Sequence, residues 1–219
     1  GNQALYVSPD GRKLRAMGYR FEESGWISTD LTFASEHITI PGIYQMTWAQ
    51  NPENIIWAID LSGNLISCTY DKANTIIGWA KHSFTDFEIV SVSAARFIGT
   101  DRVWIALWDP IQSKHSVCIM AGITAPDIYC DSSIRQDYST PTTTVTGLGH
   151  LEGRTVKVMT NGSIHPDRVV TGGQITLQYA ATAVIVGVGY TRQITTMPID
   201  FSDKEGITEV RHKHLGKVY

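Results

Sequence analysis

Three stretches of the chain share one layout: ALYVSPDGRKLRAM from Ala4, IIWAIDLSGNLISCTY from Ile55 and RVWIALWDPIQSKHSVCIM from Arg102. Each opens as an alternating run that holds an aromatic, passes a polar turn and resumes as a second alternating run. The turns are Pro9-Asp10-Gly11, Ser62-Gly63-Asn64 and Asp109-Pro110, so each unit predicts a β-hairpin. Superposing the units aligns Tyr6, Trp57 and Trp104, spaced 51 and 47 residues apart. A further strand follows the first two hairpins, around Gly25-Trp26-Ile27 and Gly78-Trp79-Ala80. No such unit can bury both of its faces alone, because successive side chains of a strand point to opposite sides. A hairpin repeated every ~40–50 residues is the sequence form of β-propeller blades, each covering its neighbour. The expectation is an all-β fold with three blade-like units, and Trp57 and Trp104 buried at equivalent places. Propellers usually close with about four to eight blades, so three units point to an incomplete propeller with further blades upstream of Gly1. A plain antiparallel meander or sandwich is the competing reading.

One segment breaks the strand pattern. In STDLTFASEHITIPG, Leu31, Ala34 and Ile38 fall at i, i+3 and i+7, Asp30 stands where an N-cap would, and Pro41-Gly42 ends the run. This predicts a short helix near 30–38. Glu36-His37 on it reads as a solvated or interface-facing polar pair, since adjacent helical residues do not converge and no second ligand follows at i+3 or i+4.

Composition shifts along the chain. All six Trp lie between Trp26 and Trp108, whereas Thr140 to Ile199 holds only Tyr179 and Tyr190 as aromatics and is rich in Thr, Val and Gly. The expected boundary is near Ser139, with a blade region over 1–139 and a small β-meander domain plus C-terminal strand or tail over 140–219. Within the second part, RTVKVMTNGSIHPDRVVTGGQITL alternates around Asn161-Gly162, the strongest short hairpin signal, and around Gly172-Gly173.

These residues also carry a resemblance. GLGHLEGRTVKVMTNGSIHPDRVVTGGQITL followed by AATAVIVGVGYTRQITTMPID resembles a small β-domain near the C-terminus of bacteriophage tail proteins. There a TGL and HLEG opening, a DG or NG hairpin and an exit containing VGLPY recur. Upstream, GRKLRAMGYRFEESGWISTDLTFASEHIT is similar to the GRKVRE strand and DLTxxAEHI helix that precede it. The blade-like middle, with Trp57, Tyr70-Asp71, Gly78-Trp79 and His82, is similar too, so the resemblance covers nearly the whole chain. The family is the tail nozzle proteins of short-tailed phages, also called tail tubular protein B or stabilisation proteins. It implies a structural virion component rather than an enzyme. It implies self-association into a ring around the DNA-exit channel, beside adaptor and portal-proximal tail proteins, in the virion tail and in the host cytoplasm during assembly. The sequence departs from the pattern at Gly189-Tyr190, where Pro-Tyr is usual, and in the irregular Pro110–Met120 hairpin. A myovirus or siphovirus hub, or a prophage protein, could carry the same domains.

The remaining features exclude more than they add. At 219 residues with 42% hydrophobic and 18% charged side chains, the chain can bury a core. A net charge of −3 and no basic run longer than Arg12-Lys13 argue against nucleic-acid binding and suit DNA that passes without specific contact. No apolar run approaches the ~18 residues of a membrane span, and the start GNQALYV, without Met or a signal-like pattern, reads as the edge of a piece of something longer. Cys68, Cys118 and Cys130 fit neither a disulfide framework nor paired zinc knuckles. A reducing compartment is the simplest reading, with Cys68 and Cys118 as packing residues in strands. Gly187-Val188-Gly189 lacks the third Gly and the following helix of a dinucleotide site. Ser8-Pro9-Asp10-Gly11 is a turn rather than a sialidase Asp-box. Asn161-Gly162-Ser163 matches a glycosylation sequon, but the turn explains the Asn-Gly. His212-Lys213-His214 reads as an exposed tail rather than a metal site. No nucleophile setting, carboxylate pair, cofactor site or metal site stands out; the residues singled out are the structural ones, Tyr6, Trp57, Trp104, Gly63, Asn161 and Gly162. The alternative function is a carbohydrate- or receptor-binding module with Trp26, Trp79 or Trp108 as a stacking platform.

Overall fold

The polar turns close where the backbone must reverse, and the alternating runs become strands on either side of them. The computed structural model describes residues 3–82, 84, 86–121, 130–191, 202–203 and 206–207. It is all-β, built from antiparallel sheets with one short helix. Blade 1 is the meander β1 (Ala4–Val7), β2 (Leu14–Arg20) and β3 (Gly25–Asp30). Blade 2 has four strands in sequence order: β4 (Ile43–Ala49), β5 (Ile55–Asp60), β6 (Leu65–Asp71) and β7 (Ile76–His82). Blade 3 is β8 (Glu88–Phe97), β9 (Thr100–Asp109) and β10 (Lys114–Ile119).

The three expected hairpins form, each by local chemistry. In the blade 2 turn, Gly63 takes φ +78, and the amides of Ser62 and Asn64 each donate to Asp60 Oδ1 at 2.9 Å. Asp60 is buried, and Asn64 Nδ2 donates to both of its oxygens, so the carboxylate keeps its hydrogen bonds away from water. Asp109 repeats the device in blade 3, accepting from the amides of Ile111 and Gln112. In blade 1, Asp10 does so through Ser8 Oγ and the Arg12 amide.

Blade 2 lies between the other two. Ile56 and Cys68 on one face meet Leu14, Ala16 and Leu31 of blade 1. Trp57, Ile59 and Leu65 on the other face meet Ile89, Val92, Val103, Ile105 and Leu107 of blade 3. Cover on both sides buries every residue of β5 from Ile56 to Asp60, while along β9 burial alternates from Val103 to Asp109 because only one of its faces is covered. Within the first of these cores, burial pushes the Cys68 thiol up to about 12, the behaviour of a packing residue.

This arrangement corrects the expected aromatic equivalence. Trp57 is 7% exposed, but Trp104 is 36% exposed. Trp104 stands on the same side of blade 3 as Trp57 does of blade 2, opposite Val103 and Ile105, and among the described residues no sheet covers that side. Matching the turn-closing Asp60 with Asp109 sets Trp104 against Ile55, two residues from the sequence alignment. Tyr6 points the other way, off the face of blade 1 that blade 2 does not cover, with its hydroxyl 2.7 Å from Ser28 Oγ.

The expected helix is also shorter and later than its pattern. Only Glu36–Thr39 is helical. Asp30 ends β3 and is not the N-cap; its Oδ1 accepts from the Thr32 amide at 2.8 Å and hydroxyl at 2.6 Å in a local turn. Leu31 is held by its own amide donating to Leu14 O and is buried against blade 2, so its apolar character reflects sheet packing rather than a helix face. Glu36 and His37 are exposed as expected, Glu36 pairing with Lys13 at 2.8 Å.

The C-terminal sheet comprises β11 (Asp131–Val145), β12 (Thr155–Thr160), β13 (Ser163–Val169) and β14 (Ile175–Val188), in the order β11-β14-β12-β13. A two-residue ladder joins β15 (Ser202–Asp203) to β16 (Gly206–Ile207). The boundary expected near Ser139 falls inside β11, which already pairs with β14 at Ile134↔Val186; the sheet begins at Asp131. Pro141 lies at a register shift between Asp137 and Thr142, where a strand tolerates the missing amide hydrogen. The core beneath holds Val145, Leu148, Leu151, Val156, Val184 and Val186, with Ile134 and Tyr138 packed against it.

Candidate functional site

The residues singled out in the sequence do not converge on one site; each supports a separate part of the scaffold. Asn161 and Gly162 both take positive φ, +48 and +79, as a two-residue type I′ hairpin requires, with Thr160 paired to Ser163. Asn161 also ties this turn to β14, its Oδ1 accepting from the amides of Thr182 and Ala183 at 3.1 and 2.9 Å. Trp57 packs beside His82 with ring centroids 5.4 Å apart, and His82 Nε2 lies 2.8 Å from Ser67 Oγ. Burial holds the His82 imidazole below its ordinary pKa, disfavouring its charged form. Gly187 needs no nucleotide to explain it, since a Cβ there would stand 2.6 Å from that of Cys130 and 2.8 Å from that of Ser133.

A clamp absent from the sequence reading holds the second turn of the C-terminal sheet. Gly172 and Gly173 have φ +63 and +69, and their amides donate to Glu152 Oε1 and Oε2 at 2.8 and 2.6 Å. The carboxylate of the HLEG segment thus fixes the Gly-Gly reversal. Glu152→Ala is expected to lower stability by about 1–2 kcal/mol, read by urea unfolding; a loss under about 0.3 kcal/mol would show that the turn keeps its shape unaided.

A second unexpected cluster joins blade 3 to the C-terminal sheet. The Arg154 side chain is 3% exposed. Its Nη2 donates to Asp109 Oδ1 at 2.8 Å and to Asp86 O at 3.2 Å, and its guanidinium lies 4.3 Å from the Phe87 ring centre. Nη1 is 3.0 Å from Asp86 Oδ2, an ion-pair contact outside hydrogen-bond geometry. Burial raises the Asp109 carboxyl, but the Arg154 hydrogen bond, the Gln112 and Ile111 amides and the Arg154 charge outweigh it and hold the group below its ordinary pKa. Val188 packs against the cores on both sides of this junction. No local pattern around Gly153-Arg154-Thr155 marks the residue, because its partners lie 45 and 68 residues away.

A shallow cleft lined by Arg135, Met159, Asn161, Gly162, Ala183 and Ile185 holds about 110 Å³, against the roughly 300–1,000 Å³ of small-molecule sites. Among the described residues no three His, Cys, Asp or Glu are placed to hold a metal, and no helix is long and apolar enough to cross a membrane. His212, Lys213 and His214 lie outside the described residues.

Two groups of exposed apolar side chains lie at the two ends of the blade stack. On blade 3 the uncovered face carries Trp104, Val117 at 70% exposure and Ile119. On blade 1, Tyr19, Phe21 and Trp26 form an exposed aromatic cluster around the β2–β3 turn. Its rings meet edge to face, Tyr19 at 87° to Phe21 and 77° to Trp26, so they present no flat shared platform. Trp79 is half-buried with its indole N–H donating to Leu31 O at 2.8 Å, and Trp108 lies against His115. Of the three Trp considered for sugar stacking, Trp26 alone is exposed.

No protein-family model matches the chain, and no curated protein matches it.

Proposed function

We propose that this chain is part of a structural subunit of a bacteriophage or prophage tail, a nozzle or hub component that works by assembly rather than catalysis. The observation that carries the reading is the open end of the blade stack. Blade 3 presents Trp104, Val117 and Ile119 on the side that, in blade 2, is buried by the next sheet. A face built for a neighbour and left uncovered among the described residues is an assembly surface. Contacts of this head-to-tail kind close into rings when the rotation per copy permits. The ring would surround the DNA-exit channel beside adaptor and portal-proximal tail proteins, and its mild negative charge would let DNA pass without specific contact. The sequence resemblance to tail nozzle proteins supports the same reading, under which the protein belongs in the virion tail after assembly in the host cytoplasm.

The test is mass spectrometry and electron microscopy of particles purified from the encoding phage or induced lysogen. The expected result is the protein in mature particles as part of a symmetric ring. Its absence from particles overturns the proposal. So does saturable glycan binding on an array that Trp26→Ala abolishes, which would establish the carbohydrate-binding alternative.

A further inference from the structure

The Asn161-Gly162 turn carries chemistry beyond the reversal it makes. An asparagine amide followed by glycine is open to attack by the next backbone nitrogen, because glycine sets no side chain in the path. The Gly162 nitrogen loses its proton to solvent base and bonds to Asn161 Cγ. The Cγ–Nδ2 bond then breaks, and the amine takes up a proton from water and leaves as ammonia. The product is a five-membered succinimide. Water opens it at Cγ to give aspartate, or at the backbone carbonyl to give an isoaspartyl link that lengthens the main chain. Solvent is the only co-reactant, and both residues are exposed to it.

The folded turn opposes this reaction in two ways. The first lies in the backbone. Asn161 and Gly162 have φ +48 and +79, the type I′ pair, in which the first central residue takes ψ of about +30°. That value places the Gly162 nitrogen roughly opposite Asn161 Cβ across the Cα–C bond, whereas ring closure needs the two on one side. The second lies in the side chain. Asn161 Oδ1 accepts from the Thr182 amide at 3.1 Å, the Thr182 hydroxyl at 3.1 Å and the Ala183 amide at 2.9 Å, and the Asn161 amide donates to Ala183 O at 2.8 Å. Side chain and backbone of Asn161 are thus both held against β14. Rotating ψ to bring nitrogen and Cγ together would also part Thr160 from Ser163, the pair that closes the hairpin.

We infer that Asn161 is a gated deamidation site, unreactive while the β12–β13 turn is closed on β14 and reactive when that corner opens. The gate sits where the pairing of β12 with β14 ends, at Thr160↔Val184, so it follows local opening of the corner rather than unfolding of the whole sheet. The two products differ in consequence. Aspartate offers the same three donors a charged acceptor and keeps the turn. Isoaspartate lengthens the main chain inside a two-residue turn, where the pairing of Thr160 with Ser163 leaves no room for it. An opening that ends in isoaspartate therefore leaves the corner unable to close as before. The site is independent of the virion reading.

The test incubates the full chain in mildly alkaline buffer, native and unfolded in urea, and follows the tryptic peptide 158–168, in which Asn161 is the sole side-chain amide. Liquid chromatography with mass spectrometry separates its amide, aspartyl and isoaspartyl forms. The expected result is conversion in urea and a rate at least ~10-fold lower in the native chain, equivalent to a corner-opening free energy of about 1.4 kcal/mol. Thr182→Val, which removes the hydroxyl donor, is expected to raise the native rate at least ~2-fold and to leave the unfolded rate unchanged, with a thermal melt to check that it folds. Should that variant not fold, the unmutated chain in urea below its unfolding transition gives the same readout, the rate rising with urea. The inference is overturned by equal rates in native and unfolded chain, by no conversion in urea, or by an unchanged native rate in folded Thr182→Val. A faster native rate overturns it too, since the Thr182 and Ala183 amides would then assist the attack instead of opposing it.

Discussion

Trp57→Ala is expected to cost about 3–5 kcal/mol of stability, and Trp104→Ala under about 1 kcal/mol, in urea unfolding of the two variants side by side. The two residues share a residue type and a side of the sheet and differ in whether a neighbouring sheet covers them. Trp57 is buried between Ile59 and Leu65 of its own sheet and the Ile89, Val92 and Ile105 side chains of blade 3. Truncating it removes a large aromatic contact area and leaves a cavity that packed sheets on both sides cannot collapse to fill. Trp104 leaves little cavity because solvent already reaches it. Equal losses at the two sites would show that the open face of blade 3 is covered in solution, by another copy or by residues beyond those described. Repeating the measurement at several protein concentrations distinguishes those causes, since only association makes the Trp104 loss concentration-dependent.

The same pair shows what a sequence reveals and what it withholds. Hairpins at Ser62-Gly63-Asn64 and Asn161-Gly162 were legible because the requirement is local: a reversal needs positive φ and a nearby acceptor, and those residue types supply both. The strands beside those turns were legible as well, but VWIALW of β9 is apolar throughout, so which of its faces is buried was not. Whether Trp104 is buried depends on a sheet that lies outside its own hairpin, and no periodicity encodes that. The helix expected near 30–38 formed only over Glu36–Thr39 for a similar reason, because Leu31 is apolar to meet Ile56 and Cys68 across a blade junction rather than to line a helix. The compositional shift at Ser139-Thr140-Pro141 was real but fell in mid-strand, where a bulge accommodates the proline. Of the surfaces argued to drive assembly, the aromatic residues were visible in the sequence and their exposure was not.

Arg154→Ala is expected to cost about 3–5 kcal/mol, the range for removing one partner of a buried ion pair, although the change deletes no large apolar side chain. The loss arises from what stays behind. Asp109 is 4% exposed, and without the guanidinium its charge keeps only the Ile111 and Gln112 amides as partners in a site that excludes water. Arg154→Met with Asp109→Asn is expected to recover at least about half of the loss, since a neutral amide oxygen still accepts from the turn and the methionine fills space against Phe87. The pH dependence has a definite sign. The Asp109 carboxyl sits below its ordinary value of 3.8 in the folded chain, so the folded state binds fewer protons than the unfolded state in that region. Its contribution is present above about pH 4 and is lost as pH falls through the depressed value. Acid unfolding of the wild type should therefore steepen below pH 4, and Arg154→Ala should flatten that part of the curve while lowering stability at neutral pH. An unchanged acid limb in Arg154→Ala would mean that the turn amides alone hold the Asp109 charge. The guanidinium would then join blade 3 to the C-terminal sheet through Phe87 and Asp86 instead.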